Sequence, residues 1–424
     1  MNARIIAIAI LVAVAGNAYP AGFRLAEQDA KANGMGNAFV AVADNASAAW
    51  YNPAALINLE GTNLSLGSVM VEAFMEHKND SPGVSIGLDR IKERVHMPPH
   101  FYAAHKINAD WAVGLSINTP FGLSTEWDPA LAATRRVATR SEIKTAYHNL
   151  NGVRKINEHL SVAAGASYVK LNAGMDKIVT ATHPLGLIAP QTVEQTLKGA
   201  GTSTGYNLAA LYKMDKWRFG SSYRSKVRVK AKGTMLLPLT GGWYTSGVDD
   251  SDAFVNLTLP DLLQIGASYK QSDSWPFSAE ADYTNWTTYR LLAINYVTRG
   301  GIMSTSLDPK DWESVWAFRA GAEHKLSDAW KVRMGAFYDM TPVKDHGLRD
   351  GRFDTRVPDS DRLAASVGAG YAWRNLTVDA SLMYIKFMKR TIAASMQDDA
   401  VGDVLNGAYE AHSVLPAITA AYKF

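Results

Sequence analysis

His105-Lys106-Ile107-Asn108-Ala109-Asp110-Trp111 reads as a tight turn that ends on a tryptophan, and the chain repeats it. It returns as Tyr212-Lys213-Met214-Asp215-Lys216-Trp217, as Tyr269-Lys270-Gln271-Ser272-Asp273-Ser274-Trp275 and as His324-Lys325-Leu326-Ser327-Asp328-Ala329-Trp330. Looser copies lie at 155–160 and 371–376. With Asp110, Glu158, Asp215, Asp273, Asp328 and Asn375 as markers, the intervals are 48, 57, 58, 55 and 47 residues. Asn, Asp and Ser side chains bond nearby backbone and so suit short turns. On either side the sequence alternates with period two, the strand signature. Trp330, Val332, Met334, Ala336 and Tyr338 oppose Lys331, Arg333, Gly335, Phe337 and Asp339. Leu376, Val378, Ala380, Leu382 and Tyr384 oppose Thr377, Asp379 and Ser381. One face is apolar with aromatic ends, and the other is small or charged.

Between the tight turns lie long polar stretches at 76–96, 120–141, 175–204, 231–252, 294–312, 340–360 and 391–410. They separate fourteen strands, near 63–75, 97–107, 111–119, 142–156, 160–174, 205–214, 217–230, 253–270, 275–293, 313–326, 330–340, 361–373, 376–390 and 411–424. An even strand number with short turns at one end and long loops at the other organises a transmembrane antiparallel β-barrel. The rival for a period of about fifty residues, a propeller, needs four short strands per repeat, where this chain offers two long ones. The tryptophans just after the turns share one depth, as an interfacial girdle requires. The fold class is therefore all-β, a 14-stranded antiparallel transmembrane barrel. The last strand alternates through Ile418, Ala420 and Tyr422 to a terminal Phe424, the signal that bacterial outer-membrane barrels present to their assembly machinery.

Composition agrees. The 424 residues are 47% hydrophobic and 20% charged, and the mean hydropathy of −0.11 is too low for a bundle of membrane helices. The apolar run at 5–15 follows Arg4 and leads into Gly16-Asn17-Ala18-Tyr19-Pro20-Ala21, which reads as a signal peptide over 1–21 cleaved after Ala18 or Ala21. The formal net charge of +3 argues against a nucleic-acid partner. The absence of Cys removes disulfides and thiolate chemistry. No Gly-x-Ser-x-Gly or His-Glu-x-x-His is present, and His96 and His100 straddle Pro98-Pro99, poor spacing for a metal. No catalytic residue, metal or cofactor is expected, and a monomer is.

Residues 22–60 lack alternation and are rich in Ala, Asn and Gly. Fourteen strands enclose a lumen too wide for their own side chains to fill. A compact, partly helical hatch of this length is the right size to plug it, leaving 61–424 for the barrel.

Three motifs at the N-terminus, 21–25 (Ala-Gly-Phe-Arg-Leu), 34–38 (Gly-Met-Gly-Asn-Ala) and 51–54 (Tyr-Asn-Pro-Ala), resemble the FadL family of outer-membrane transporters for long-chain fatty acids and other hydrophobic compounds. The resemblance continues in order through 120–127 (Pro-Phe-Gly-Leu-Ser-Thr-Glu-Trp), 223–225, 257–261, 282–286 and 357–362 (Val-Pro-Asp-Ser-Asp-Arg). It implies a plugged fourteen-stranded barrel in the bacterial outer membrane, with membrane lipid and a hydrophobic small molecule as partners. It also implies a lateral opening where Pro120, Phe121 and Gly122 interrupt the third strand. On the residues alone, a Pro that cannot donate to the ladder and a flexible Gly equally end a strand beneath a loop. Asn52, Pro53 and Ala54 are either the family's hatch anchor or a plain turn. Lys170, Lys177 and Arg290 are candidate partners for a ligand carboxylate; the second family base, near 292–293, is missing, which keeps neutral hydrocarbons as an alternative cargo. Arg224, Arg228, Arg319 and Arg333 are either lumen charges for a ligand or parts of an ion-pair ladder with Glu280, Asp282 and Glu323. Phe23 and Trp50 of the hatch, and Leu185, Leu187, Ile188, Leu236 and Leu237 of two long loops, are candidate hydrophobic contacts, because exposed apolar patches mark binding surfaces. A general diffusion porin is the remaining alternative.

Overall fold

The computed structural model describes residues 22–79, 88–129, 133–181, 189–238, 248–272, 274–298, 300–343, 353–393 and 405–424. Among them the chain makes fourteen spans in one closed antiparallel barrel, each paired with its sequence neighbours. Closure comes from Thr62–Val69 pairing with Gly407–Lys423, in a register of Asn63↔Lys423 to Val69↔Ala417. Among the described residues, the tight turns expected from the repeat join consecutive spans. Asn108 Oδ1 accepts from the amides of Asp110 and Trp111, and Asn157 Oδ1 from those of His159 and Leu160. Asp215 and Arg374 take positive φ of 49° and 54° at their turns.

The outward face carries two aromatic girdles. At the turn end, Trp217 lies 4.7 Å from Tyr269 and Trp330 lies 4.8 Å from Tyr371, between ring centroids. At the other end, Tyr206 meets Tyr223 at 6.1 Å and Tyr283 meets Trp316 at 5.1 Å. The six steps from Trp217 to Tyr223 cover about 20 Å along the strand, which fits within the apolar band of about 25 Å that such barrels present to lipid.

Two of the expected loops are strand over much of their length. The fifth span runs Leu160–Ala181 and the sixth Gln191–Met214, so 175–181 and 191–204 form a ladder that stands above the outer girdle. This ladder is Thr- and Gly-rich, and among the described residues only Met175, Val179, Val193 and Leu197 on its inner face pack against apolar neighbours, so the apolar alternation that marks the membrane strands is sparse in it. Residues 231–237 continue the seventh span (Val227–Leu237), and 294–312 holds parts of the ninth (Leu291–Val297) and tenth (Met303–Pro309).

Residues 22–57 fill the lumen and are buried almost throughout. Helix Ala30–Gly34 is capped by Asp29, whose carboxylate accepts from the amides of Lys31 and Ala32. The helix lies on wall glycines: a Cβ at Gly335 would fall 2.1 Å from the Gly36 amide nitrogen, and one at Gly321 2.3 Å from Met35 O. Glycine is needed there because hatch backbone touches wall backbone. Ion pairs add to this fastening. Arg24 bonds Asp282 at 2.7 Å, which Arg319 holds from the wall at 2.9 Å; Lys31 reaches Asp44 and Glu323, and Arg333 ties Glu323 to Asp379. Glu280 accepts the amides of Phe39 and Val40, both at 2.7 Å. Of the two readings of the lumen arginines, Arg319 and Arg333 take the ion-pair one. Arg224 donates to Trp50 O and stacks 3.6 Å over that indole ring.

Candidate functional site

The third span is broken. Trp111–Asn118 pairs with the second span up to Phe101↔Ile117, and Gly122–Glu126 pairs only with the fourth span. Beyond Ile117, the second span turns to the first through Val95–His96, and among the described residues one backbone bond, Lys92 N–H to Glu126 O, crosses to the third. Pro120 supplies no N–H, and its carbonyl accepts from Leu25 N of the hatch at 2.7 Å. Gly122 N donates to Phe23 O at 2.9 Å, so the kink bends inward and pairs with the hatch instead of the wall. The Thr145 hydroxyl donates to Phe121 O and accepts from Phe121 N, standing in for the interrupted ladder. Pro120 and Phe121 lie between the two parts of this span, and Gly122 opens the second.

Beside it lies a mostly apolar lumen cavity with about 730 Å³ of atom-free space, part of it open to solvent. Leu123, Ile143, Leu171, Met175, Leu197, Ala231, Val255, Leu257, Leu292 and Ile294 line it, with Tyr289 and Val357. Its buried base is Arg356, on the loop that folds in from the rim. Arg356 Nε donates to both Asp354 oxygens, Nη2 to Asp308, and Nη1 to the Met175 sulfur, a weak acceptor. Lys310 completes the group by bonding both Asp308 and Asp354. The loop is held by Trp127 Nε1 donating to Thr355 O, and Asp359 accepts the Gly22 amide of the hatch at 3.1 Å. Burial raises the Asp359 carboxyl to about 6, against the pull of Arg362.

The other site residues fall out unevenly. Asn52 bonds both hatch and wall: its Nδ2 donates to Val40 O at 2.8 Å and to Ala210 O of the sixth span at 3.1 Å, while its Oδ1 accepts from Ala54 N. Pro53 opens the 3-10 helix Pro53–Asn58, and Ala54 O accepts from the wall hydroxyl of Ser161 at 2.8 Å. Lys170 is a correction. It alternates with buried Val169 and Leu171 and projects outside the barrel with Tyr168, because a strand sends successive side chains to opposite faces. Arg228 faces out for the same reason. Arg290 is also corrected: its side chain is exposed at the bend within the ninth span, just before Leu291–Val297, and among the described residues its carbonyl is engaged by Lys310 N and Asp311 N. Lys177 is half-buried opposite Gln195, above the cavity.

Phe23 is fully buried but packs in an aromatic cage of Trp286, Tyr289, Trp312 and Phe121, with Tyr289 between it and the cavity. Trp50 lies under Arg224 and against Tyr147, away from the cavity. Leu237 packs with Met235, Val179, Val193 and Leu197 in a small apolar cluster at the rim, on strands rather than loops. Leu236 is half-buried on the opposite face of its strand. Leu185, Leu187 and Ile188, and the proposed signal peptide, lie outside the described residues. Sequence reading missed Arg356. The Val-Pro-Asp-Ser-Asp-Arg motif beginning one residue later was the available pointer, but only the folded loop shows that it turns inward.

The chain was compared with known proteins. Residues 11–424 match the family model described as outer membrane protein transport protein (OMPP1/FadL/TodX). The 47 kDa outer membrane protein of Pasteurella multocida is 27% identical over 90% of this chain and 91% of its own. The long-chain fatty acid transport protein of Salmonella typhi is likewise 27% identical, over 89% and 91%. Among solved structures, a Pseudomonas aeruginosa FadL homologue superposes with a TM-score of 0.81 at 22% identity, covering 95% of this chain and all of that one. The Ralstonia pickettii toluene transporter TbuX does so with 0.68 at 17%, covering 93% and 98%. With a closed fourteen-stranded barrel, a lumen hatch and a family match over nearly its whole length, this chain belongs to the OMPP1/FadL/TodX family of outer-membrane transport proteins.

Proposed function

We propose that this chain is a passive channel for long-chain fatty acids or similar hydrophobic molecules, which enter at the outer rim, pass through the lumen cavity and leave sideways at the third span. The observation that carries this reading is the adjacency of an apolar cavity to a break in the wall: Leu123, which lines the cavity, follows Gly122 of the kink directly. Capture at the rim cluster around Met235 and Leu237 would gain about 25 cal/mol for each Å² of apolar area buried. Straight passage to the periplasm would return that area to water, whereas sideways release into lipid does not. No cofactor and no catalysis enter this mechanism, and the channel works as a monomer. The exposed Phe424, whose amide donates to Thr62 O at the barrel seam, is the residue we assign to the assembly machinery.

A fatty-acid head group would meet Arg356, whose Nη1 faces the cavity with, among the described residues, only the Met175 sulfur as hydrogen-bond partner. A second reading, a neutral hydrocarbon, is favoured by the balance of that cluster: Arg356 and Lys310 already face Asp354 and Asp308, and an added carboxylate in a low-dielectric lumen needs an uncompensated cation. Mass spectrometry of ligand co-purified with the protein separates the two readings. Uptake by cells carrying Pro120→Val with Gly122→Ala tests the route. The added Cβ at residue 122 lies 3.1 Å from Leu25 Cδ1, and the restored N–H at residue 120 favours a continuous strand. Uptake should fall while the barrel stays resistant to heat in gels. Wild-type uptake by a folded double variant would refute lateral release, and large steady ion conductance by the wild type would make the chain a porin.

A further inference from the structure

The lysine that faces away from the lumen has companions. On the seventh span, Arg228, Lys230 and Lys232 are all exposed and alternate with Val227, Val229 and Ala231, which are buried toward the interior. Lys170 stands on the outer face of the fifth span and Lys144 on that of the fourth. The ladder registers place them together. Lys144 pairs with Asn172, Asn172 with Ala200, and Ala200 with Lys232, so these two lysines end one transverse row over four adjacent strands. Neighbouring strands lie about 4.8 Å apart, which makes that row about 15 Å wide. Lys170 pairs with Ala146 and Thr202, one step nearer the membrane.

The height of the patch is fixed by the girdle. Tyr168 precedes Lys170 on the same face, and the Lys170 ammonium sits 6.0 Å from that ring. Tyr206 and Tyr223 continue the girdle on the sixth and seventh spans, and Arg228 follows Tyr223 within five residues. Interfacial aromatics mark the edge of the hydrocarbon, so the basic side chains directly above them stand at head-group level. Of the five, Lys144 is engaged by Glu142, which also takes Arg140. Lys230 lies over the Phe254 ring at 4.0 Å. Lys170, Arg228 and Lys232 have no carboxylate partner among the described residues. A strand face that carries three unbroken bases at period two is not needed to hold the barrel, since charge on the lipid side of such a wall is destabilising or neutral.

We propose that this outer face of the fourth to seventh spans is a docking surface for phosphate-bearing lipid of the outer leaflet, with Lys170, Arg228, Lys230 and Lys232 taking the phosphates and Tyr168, Tyr206 and Tyr223 the start of the acyl chains. Ammonium and guanidinium groups at this height are drawn to anionic head groups, and the attraction weakens with salt. The surface is distinct from the cargo cavity, because alternation puts these side chains on the opposite side of the wall from Leu171 and Ala231.

The test titrates lipid A into the mature protein in neutral maltoside micelles and follows bound lipid by native mass spectrometry. Lys170→Gln with Arg228→Gln, Lys230→Gln and Lys232→Gln should weaken binding by at least about tenfold and leave the gel mobility of the folded barrel unchanged. Replacing the three lysines by arginine should keep binding. Dephosphorylated lipid A should bind the wild type at least about tenfold more weakly than lipid A does, which keeps the proposal testable even if the glutamine variant folds poorly. Equal binding of phosphorylated and dephosphorylated lipid by the wild type would overturn it. So would displacement of lipid A by dodecanoate, which would make the patch an entry site for anionic cargo.

Discussion

Replacing Gly335 by alanine should unseat the hatch without opening the barrel. The new Cβ points into the lumen and falls 2.1 Å from both Gly36 N and Met35 C, where ordinary contacts begin at 3.4 Å. Backbone faces it, so no side chain can swing aside, and the Met35-Gly36 turn must retreat by at least the 1.3 Å difference between those values. That stretches the 3.0 Å bond from Gly36 N to Ser366 Oγ past about 4 Å, beyond any hydrogen bond. Overpacking costs about 1–3 kcal/mol, and each hydrogen bond lost at this buried seat adds about 1 kcal/mol. The seat should therefore weaken by about 3 kcal/mol, which is about a hundredfold in the population of an unseated hatch. The wall itself should hold, since Gly335 keeps its pairings with Gly321 and Ser366. The chain has no cysteine, so Ala48→Cys, at a fully buried hatch position, gives a clean maleimide-labelling reporter. Gly152→Ala, whose Cβ meets nothing within 4 Å, is the control. An unchanged labelling rate in the Gly335 variant, with the barrel intact by heat-modified gel mobility, would refute the claim that glycine contacts seat the hatch.

Asn52→Ala removes the bonds to Val40 O and Ala210 O, and the cap on Ala54 N, and should cost the hatch about 3 kcal/mol; the same reporter should label faster in that background. Asp29 is buried in the hatch, and burial, with Asp379 nearby, raises its pKa from 3.8 to about 6. Its contribution to hatch stability is fully present below about pH 4 and is lost as pH rises through 6, because the unfolded carboxyl releases its proton first. Asp29→Asn should remove that dependence, so the labelling rate of the variant should vary less between pH 5 and 7 than that of the wild type; equal slopes would contradict the assignment.

How far the sequence reached follows from which physical rule governed each part. The repeated Asn/Asp/Ser turns, the alternation of Leu, Val, Ala and Met on lipid-facing positions, and the tryptophans at one depth are local consequences of strand geometry and the bilayer. They determined the span number and the class of fold. Pro120 announced a break because a missing N–H is a property of the residue itself. The fifth and sixth spans above the membrane read as loop because, clear of the bilayer, their outer face is polar and their inner face carries only scattered apolar residues, too few to mark a period. Facing was the larger loss. Whether Lys170 points in or out depends on a register one residue wide, and a slip of one exchanges the two faces of a strand. Only the closed barrel, with Val169 and Leu171 buried inside it, decided that Lys170 belongs to the outer wall. Arg356 and the Gly335–Gly36 contact lie beyond sequence for the same kind of reason: the first needs a loop to fold inward, and the second joins residues 299 positions apart that meet only when the hatch fills the lumen.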